Sequence, residues 1–297
     1  MNILITGSTG FIGKHLIKRL KEEGHNIYSI VRPSANLDFL KKEKIPYFIF
    51  DNNIQKLISF MQKNKIIGVV HLASLFLTEH KTEDIDDLIK SNILLGTTIL
   101  EACDRSSVDW FVNTGTFWQH YKNKIYSPVN LYAATKQAFE SIAQYYIENT
   151  NINFITIQIS DTFGPNDTRN KIFNIWGKIS KTGEILEMSP GQQIIDINYI
   201  DNVVDGFYHT IKLLSKDKKR KLSGKVFSLY SKERMSLRKL ANLFEKTTLK
   251  KLNIKWGTKA YRPREIMIPW NKGISIPSWK PKISLKQGII ETIKSHE

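Results

Sequence analysis

Short apolar runs alternate with amphipathic stretches through the first half of this 297-residue chain. The apolar runs have the length of buried β-strands and cover residues 2–6, 26–31, 47–50, 68–72, 110–113 and 154–159. The amphipathic stretches place apolar residues at helical spacing and cover residues 13–23, 54–64, 85–104 and 131–150. Strands that alternate with helices are typical of a parallel sheet flanked by helices. The pattern therefore predicts an α/β fold with a Rossmann-type, doubly wound parallel sheet.

The alternation of predicted strands and helices becomes less regular beyond about residue 161. Glycine, proline and aromatic residues become frequent there, as in the segments 163–165, 256–257 and 269–270. We therefore expect residues 1–160 to form the sheet domain and residues 161–297 to form a smaller C-terminal lobe. Some segments of this lobe are expected to return to the sheet domain.

The chain carries 44 Lys and Arg residues against 28 Asp and Glu residues, a formal net charge of +16. Such a charge favours binding to nucleic acid, to a membrane surface or to ligands that carry phosphates. Solvated lysines on the surface, without any binding role, would produce the same net charge. The densest basic run, residues 216–221, has no interleaved aromatic residue, so we interpret it as an exposed connector and expect no nucleic-acid partner. No apolar run is long enough to cross a bilayer, and the N-terminus lacks the basic region and cleavage site of a signal peptide. These features predict a cytoplasmic protein without a membrane partner.

A glycine-rich turn, residues 6–13, follows the first predicted strand and opens the first predicted helix. In this position Gly7 permits the tight turn, Gly10 lets the backbone approach a pyrophosphate, and Gly13 allows the helix to pack close to the sheet. The helix N-terminus then presents free N–H groups to phosphate oxygens. The turn predicts that the first domain binds a dinucleotide, with further contacts from Thr9, Phe11 and Ile12.

The end of the second predicted strand bears on which dinucleotide is bound. An enzyme that selects NAD usually carries an acidic residue there to hold the ribose 2′-hydroxyl, whereas this chain has Arg32. A guanidinium suits the 2′-phosphate of NADP, so NADP(H) is the predicted cofactor. Asp51, with Asn52 beside it, is a candidate for the adenine amino group. A helix-capping role for Asp51 is the alternative.

Tyr132 and Lys136 are four residues apart and therefore lie on one face of a predicted helix. A hydroxyl cluster, Thr114 and Thr116, ends the strand upstream, and ligands bind beyond the carboxyl ends of strands in such sheets. A tyrosine with its ordinary pKa near 10 transfers protons poorly at neutral pH. A nearby ammonium favours the phenolate and lowers that pKa, which predicts a proton-transferring Tyr132.

With these features the chain resembles the extended short-chain dehydrogenase/reductases. Further segments carry the resemblance in the order that is typical of that family: residues 71–74, 92–97, 163–165, 199–204 and 279–285. The resemblance implies that Thr116 and Tyr132 bind and protonate the reacting oxygen and that Lys136 holds the nicotinamide ribose. It also implies cofactor contacts from Leu72, Ala73, Ser74, Asn92 and Thr114. Nucleotide-activated sugars as substrates, and a homodimer formed through the helices at 85–104 and 131–150, follow from the same resemblance.

Within this family, the residues after Thr116 narrow the reaction. The sugar-nucleotide 4,6-dehydratases have an Asp-Glu pair there, but this chain has Phe117 and Trp118. The cysteine acid/base of the epimerase-reductases is absent from that position, and Arg32 contradicts the NAD preference of most 4-epimerases. A ketoreductase remains. Residues 113–136, 161–169 and 262–265 are similar to the CDP-abequose and CDP-paratose synthases, which reduce a C4 ketone with NADPH.

The family often grips the substrate diphosphate with an arginine before Asp196, but this chain has Ile195. The candidate replacements, and the residues expected to line the sugar site, are Arg262, Arg264, Arg169, Lys171, Phe117, Trp118, Asp161 and Thr162. No metal ligands are predicted. Two alternatives stay open: an epimerase or a reductase of another deoxysugar or deoxyheptose, and a dinucleotide-binding regulator without catalysis.

Overall fold

The computed structural model describes residues 1–295 of the chain and is built around one large sheet. The strands of the described part are β1 Asn2–Thr6, β2 Asn26–Val31, β3 Tyr47–Ile49, β4 Gly68–His71, β5 Trp110–Thr116, β6 Asn153–Ile159, β7 Asp161–Phe163, β8 Leu186–Met188, β9 Ile194–Ile195, β10 Ile197–Tyr199, β11 Val226–Leu229, β12 Met235–Ser236 and β13 Ile254–Trp256. Its α-helices are α1 Phe11–Glu22, α2 Asp38–Lys42, α3 Ile54–Lys63, α4 Ile85–Ile89, α5 Leu95–Arg105, α6 Leu131–Asn149, α7 Ile172–Thr182, α8 Ile200–Lys216, α9 Leu237–Thr248 and α10 Leu285–Lys294.

Seven parallel strands form the large sheet in the order β11-β6-β5-β4-β1-β2-β3. The chain winds outward from β1 in both directions, so the strand order reverses between β1 and β4. Ligands of open α/β sheets bind beyond the carboxyl ends of the strands at such a reversal. The predicted fold class is confirmed.

The core lies on both faces of this sheet, because alternate residues of each strand point to opposite sides. On one face, Ile3 and Ile5 of β1 pack in a cluster with residues of α1 and α8. On the other face, Leu4 packs in a second cluster with residues of α3, α5 and α6. Burial on both sides explains why the sequence shows continuous apolar runs here rather than an alternating pattern.

The six predicted strands are all present, and the sheet has a seventh strand, β11, that the sequence pattern did not predict. β5 extends to Thr116, three residues beyond its predicted end, so the hydroxyl cluster belongs to the strand itself. The predicted helix at 85–104 consists of α4 and α5 joined by a π-helical turn, Lys90–Leu94. The widened turn contains Asn92, whose side chain is buried.

The second half of the described chain is more regular than its composition suggested. It contributes α7 to α10 and three two-stranded sheets, β10–β7, β12–β9 and β13–β8. β11 pairs with β6, and α8 packs on α1, so both elements contact the sheet domain. Among residues 1–295, none of the helices combines the length and apolar character needed to cross a membrane.

Candidate active site

A cavity of about 770 Å³ opens at the carboxyl ends of β1, β4, β5 and β6, where the strand order reverses. Most of the predicted site residues line it: Gly7, Gly10, Phe11, Ile12, Gly13, Leu72, Ser74, Thr114, Thr116, Phe117, Trp118, Tyr132, Asp161, Thr162, Arg169, Lys171, Arg262 and Arg264. The remaining predicted residues lie outside its lining: Thr9, Arg32, Asp51, Asn52, Ala73, Asn92 and Lys136. Residues far apart in the sequence therefore meet at one site.

The glycine turn has the geometry that a bound pyrophosphate requires. Gly7 has a φ of +67°, and a Cβ at this position would lie 2.7 Å from the backbone nitrogen of Ala73. A Cβ on Gly13 would overlap the carbonyl oxygen of Gly7 and lie 2.8 Å from Cα of Ser8. Gly10, the N-cap of α1, provides no side chain to satisfy the first N–H groups of the helix. Gly10, Phe11, Ile12 and Gly13 line the cavity, and uncapped N–H groups at a helix N-terminus favour an anionic ligand.

Three hydroxyls converge in the cavity around Tyr132, which lies in the first turn of α6. Asn130 caps this helix by accepting a hydrogen bond from the backbone N–H of Ala133 at 3.0 Å. The hydroxyls of Ser74 and Thr116 lie near the Tyr132 hydroxyl and lower its pKa. The Thr116 oxygen also accepts the N–H of Trp118 at 3.3 Å, which leaves its own proton free to donate.

The pKa of Tyr132 differs from the sequence-based expectation. Burial raises this pKa, the Asp161 carboxylate adds to the effect and the hydroxyls of Ser74 and Thr116 oppose it, so that the pKa is about 12. The Lys136 ammonium, which is expected from the sequence to lower the pKa of Tyr132, is not among the groups that shift it. The phenol is therefore fully protonated at neutral pH and available as a proton donor.

Lys136 lies one helical turn after Tyr132 and is only 2% exposed. Burial lowers the pKa of its ammonium to about 8, and the carboxylate of Glu140 opposes this effect. A lysine is seldom buried so deeply without a function for its charge. It lies outside the cavity lining, one helical turn from the lining residue Tyr132.

Asn92 holds the loop that follows β4 in place. Its side-chain oxygen accepts the N–H of Leu75 at 2.7 Å, and its amide nitrogen donates to the Leu75 carbonyl at 3.0 Å and to the Thr135 hydroxyl at 3.0 Å. This loop contains Ser74, so Asn92 supports the hydroxyl next to Tyr132. Both amide hydrogens of Asn92 are used in these bonds, so a cofactor could contact this side chain directly only through its oxygen, which can accept a second hydrogen bond.

The residues expected at the adenosine end lie at the protein surface. Arg32 follows β2, is exposed, and forms no ion pair within the described residues. Asp51 pairs with Lys56 at 2.6 Å and accepts the N–H of Asn53 at 3.1 Å. Asn53, not Asp51, is the N-cap of α3, where its side chain accepts the N–H of Lys56. Asn52 has a φ of +68° in the turn between them.

The four candidate cations for the substrate line the cavity, but carboxylates already neutralise three of them. Arg169 pairs with the buried Asp167 at 2.8 Å and donates to the carbonyl of Thr162 at 2.9 Å. Lys171 pairs with Asp161 at 2.6 Å. Arg262 and Glu265 form two hydrogen bonds of 2.9 and 3.1 Å. Arg264 donates to the hydroxyl of Ser127 at 2.8 Å and forms no ion pair with a carboxylate of residues 1–295.

Phe76 is a cavity residue that sequence reasoning missed. Its ring is 42% exposed and meets the ring of Tyr132 edge to face, with the centroids 5.0 Å apart. Trp118 lies 5.3 Å from Phe76 on another side, and Lys171 lies 4.7 Å from the Phe76 centroid. The sequence does not reveal that Phe76 lines the cavity, because a single aromatic residue in a loop forms no pattern and its neighbours come from distant parts of the chain.

Comparisons with known proteins agree with this geometry. The model of the NAD-dependent epimerase/dehydratase family matches residues 3–227. The chain is 26% identical to a CDP-abequose synthase of Salmonella typhimurium strain LT2, over 98% of this chain and 97% of that protein. It is also 26% identical to an uncharacterised UDP-glucose epimerase of Bacillus subtilis strain 168, YtcB, over 99% of this chain and 97% of that protein.

Solved structures share the fold at lower identity. The UDP-glucuronic acid 4-epimerase of Bacillus cereus, in complex with UDP-glucuronic acid and NAD, superposes with a TM-score of 0.83 at 22% identity, with 99% of this chain and 98% of that chain covered. The glycine turn and Tyr132 line one cavity at the reversal of strand order, and Lys136 lies one helical turn from Tyr132. The match to the family model extends over most of the chain and includes all of them. This chain belongs to the NAD-dependent epimerase/dehydratase family.

Proposed function

We propose that the protein is an NADPH-dependent ketoreductase that reduces the C4 ketone of a nucleotide-linked 4-keto-deoxysugar, such as a CDP-4-keto-3,6-dideoxyhexose, for surface polysaccharide. The observation that carries this proposal is that the Tyr132 phenol and the Thr116 hydroxyl line the same cavity as the glycine turn. Phe117 and Trp118 stand directly after Thr116, where the resemblance places the Asp-Glu pair that 4,6-dehydratases use for water elimination, so that reaction is disfavoured. The similarity to CDP-abequose synthases supports the same reaction.

The residues of the cavity have separate tasks in this reaction. NADPH, when bound, supplies the hydride. Thr116 donates a hydrogen bond to the ketone oxygen, and Tyr132 donates the proton that this oxygen takes up. Lys136 holds the ribose of the cofactor and stabilises the phenolate that Tyr132 becomes after the transfer. The aromatic rings of Phe76 and Trp118 exclude water from the Tyr132 side of the cavity.

Three further assignments follow from the same proposal. Gly7, Gly10 and Gly13 bind the pyrophosphate, and Arg264, the cation that no carboxylate neutralises, binds the substrate diphosphate. Residues 1–160 bind the cofactor, and the cavity residues from 161–297 bind the sugar nucleotide. The protein acts in the cytoplasm as a homodimer, and exposed apolar side chains on its long helices support this assembly, among them Ile89, Leu94 and Tyr145.

Arg32 is expected to select NADPH over NADH. Replacing it with alanine removes one charge-assisted contact to the 2′-phosphate, worth about 1.5–3 kcal/mol, so the Kd for NADPH should rise roughly 10- to 100-fold. The Kd for NADH, which has no 2′-phosphate, should change little. Fluorescence titration of both cofactors measures this difference. Arg105→Ala, at the exposed end of α5, is the matched control, and equal losses for both cofactors would contradict NADP selection by Arg32.

The reaction itself is tested by NADPH oxidation with 4-keto-deoxysugars linked to CDP, dTDP, UDP and GDP, each offered separately. We expect rapid oxidation with one of them and slow oxidation with NADH in place of NADPH. The second candidate function is a sugar-nucleotide 4-epimerase, which the similarity to YtcB and to the Bacillus cereus epimerase favours. Tight cofactor binding without net oxidation, together with conversion of a UDP-sugar to its epimer, would replace the ketoreductase with this alternative.

A further inference from the structure

Glu140 is a partly buried carboxylate that the mechanism above does not use. It lies on α6 one turn after Lys136, on the side of the helix that faces β5. A Cβ on Gly115, in β5, would lie only 3.0 Å from one of its carboxylate oxygens, so the carboxylate packs directly against the backbone of the strand. A carboxylate in such a place needs compensating partners, because burial strongly disfavours its charge.

Gln119 provides the first of these partners. Its side chain is completely buried, and its amide nitrogen donates to Glu140 at 3.0 Å and to Gln137 at 2.9 Å. Its amide oxygen accepts the backbone N–H of Thr116 at 2.8 Å. Both amide hydrogens and the oxygen are therefore engaged, which fixes the orientation of the amide. Through this one side chain, the end of β5 that carries Thr116 is tied to the face of α6 that carries Lys136.

Lys136 is the second partner, and it acts through space, since the two groups form no direct ion pair within residues 1–295. Burial raises the pKa of Glu140 to about 7, while the N–H of Gln119 and the Lys136 ammonium lower it. Burial lowers the pKa of Lys136 to about 8, and Glu140 opposes this effect. The other titratable group that faces Lys136 is His71 of β4, whose pKa burial lowers to about 3, so it is neutral in this range. Glu140 is thus the negative charge that favours the charged form of Lys136.

We propose that Glu140, held by Gln119, is a positioning residue that keeps the buried Lys136 side chain charged and fixes it relative to Thr116. This proposal rests on one part of the proposed function, the contact between Lys136 and a bound nicotinamide cofactor. Gln119 accepts the backbone N–H of Thr116, and Glu140 acts on Lys136 through space, so both would act through these residues rather than on the ligand itself.

The substitution Glu140→Gln tests this role, because glutamine keeps an acceptor oxygen for Gln119 and nearly the same volume but carries no charge. We expect the Kd for NADPH, titrated by fluorescence at a series of pH values, to start rising about one pH unit lower than in the wild-type protein. The reason is that the Lys136 ammonium loses its proton earlier once the nearby carboxylate is gone. The pH dependence of kcat/KM with an active keto-sugar should shift in the same direction.

Two more variants separate this role from a structural one. Glu148→Gln makes the same change at an exposed position of α6 and should leave the pH dependence unchanged. Gln119→Met removes the N–H that stabilises the Glu140 carboxylate, so it should shift the pH dependence in the same direction as Glu140→Gln, by a smaller amount. If the Glu140→Gln protein does not fold, the pH dependence of the Gln119→Met protein tests the role of Glu140 instead.

The outcomes are distinct. A folded Glu140→Gln protein whose NADPH affinity has the wild-type pH dependence overturns the role of Glu140 but leaves the proposed function intact. If only Gln119→Met folds, an unchanged pH dependence in that variant overturns it equally. A wild-type protein that binds neither NADPH nor NADH overturns the proposed function itself.

Discussion

The Tyr132→Phe protein is expected to lose roughly 10²- to 10⁴-fold in kcat for ketone reduction, while its Kd for NADPH stays close to the wild-type value. In the proposed reaction the ketone oxygen takes up the proton of this phenol, and phenylalanine keeps the ring packing against Phe76 but has no proton to give. Loss of turnover with retained cofactor binding therefore isolates proton transfer from folding and from binding. Initial rates of NADPH oxidation and a fluorescence titration measure the two quantities.

Tyr145→Phe is the matched control for this experiment. It makes the same chemical change on the same helix, but its side chain is 63% exposed and far from the cavity lining. We expect wild-type kcat and wild-type NADPH affinity for this variant. Normal turnover by Tyr132→Phe would mean that another group donates the proton and would remove the basis of the proposed mechanism.

The high pKa of Tyr132 bears on the proton transfer of the proposed reaction. Because burial raises this pKa to about 12, the phenol of the free enzyme keeps its proton throughout the neutral range, as the proton donor in a ketone reduction must. Oxidation of an alcohol, the first step of the epimerase alternative, needs the phenolate as a base, and this environment disfavours the phenolate.

The Gly13→Ala protein is expected to lose more than tenfold in affinity for NADPH and roughly 1–3 kcal/mol in the free energy of unfolding. The added methyl group would overlap the carbonyl oxygen of Gly7 and crowd Ser8, and both neighbours are backbone atoms that no rotamer change can move away. The turn must shift, and its N–H groups then no longer point together at the pyrophosphate. Fluorescence titration well below the unfolding temperature, together with thermal unfolding, measures both effects.

Gly177→Ala provides the control within the same protein. Gly177 lies inside α7, and a Cβ there would make an ordinary contact of 3.6 Å with Ile293. Alanine in a helix interior is favoured over glycine by up to about 1 kcal/mol, so this variant should be as stable as the wild type or more stable, with the same NADPH affinity. Equal NADPH affinity in the Gly13→Ala protein would show that the turn does not bind the pyrophosphate.

The sequence by itself determined the features that depend on neighbours along the chain. Strand length, helical spacing and the glycine turn are local patterns, so the α/β class, six strands of the large sheet and the start of the cofactor turn could be predicted. The placement of Tyr132 and Lys136 on one helix face follows in the same way from a spacing of four residues. The carboxyl-end rule for parallel sheets then brought Thr116 to the same site, because it needs only the order of the strands.

Contacts between distant segments were decided only by the tertiary structure. β11 pairs with the edge of β6, but it comes from the second half of the chain, and the alternating pattern of the first half did not predict this strand. Phe76 meets Tyr132, and Gln119 meets Glu140, although each pair is too far apart in the sequence for helix or strand periodicity to predict the contact. Burial is also a tertiary property, and it reversed the expected pKa shift of Tyr132 because desolvation outweighs the effect of any neighbouring charge there. The sequence identifies the reacting groups, and the folded environment sets which of them holds a proton.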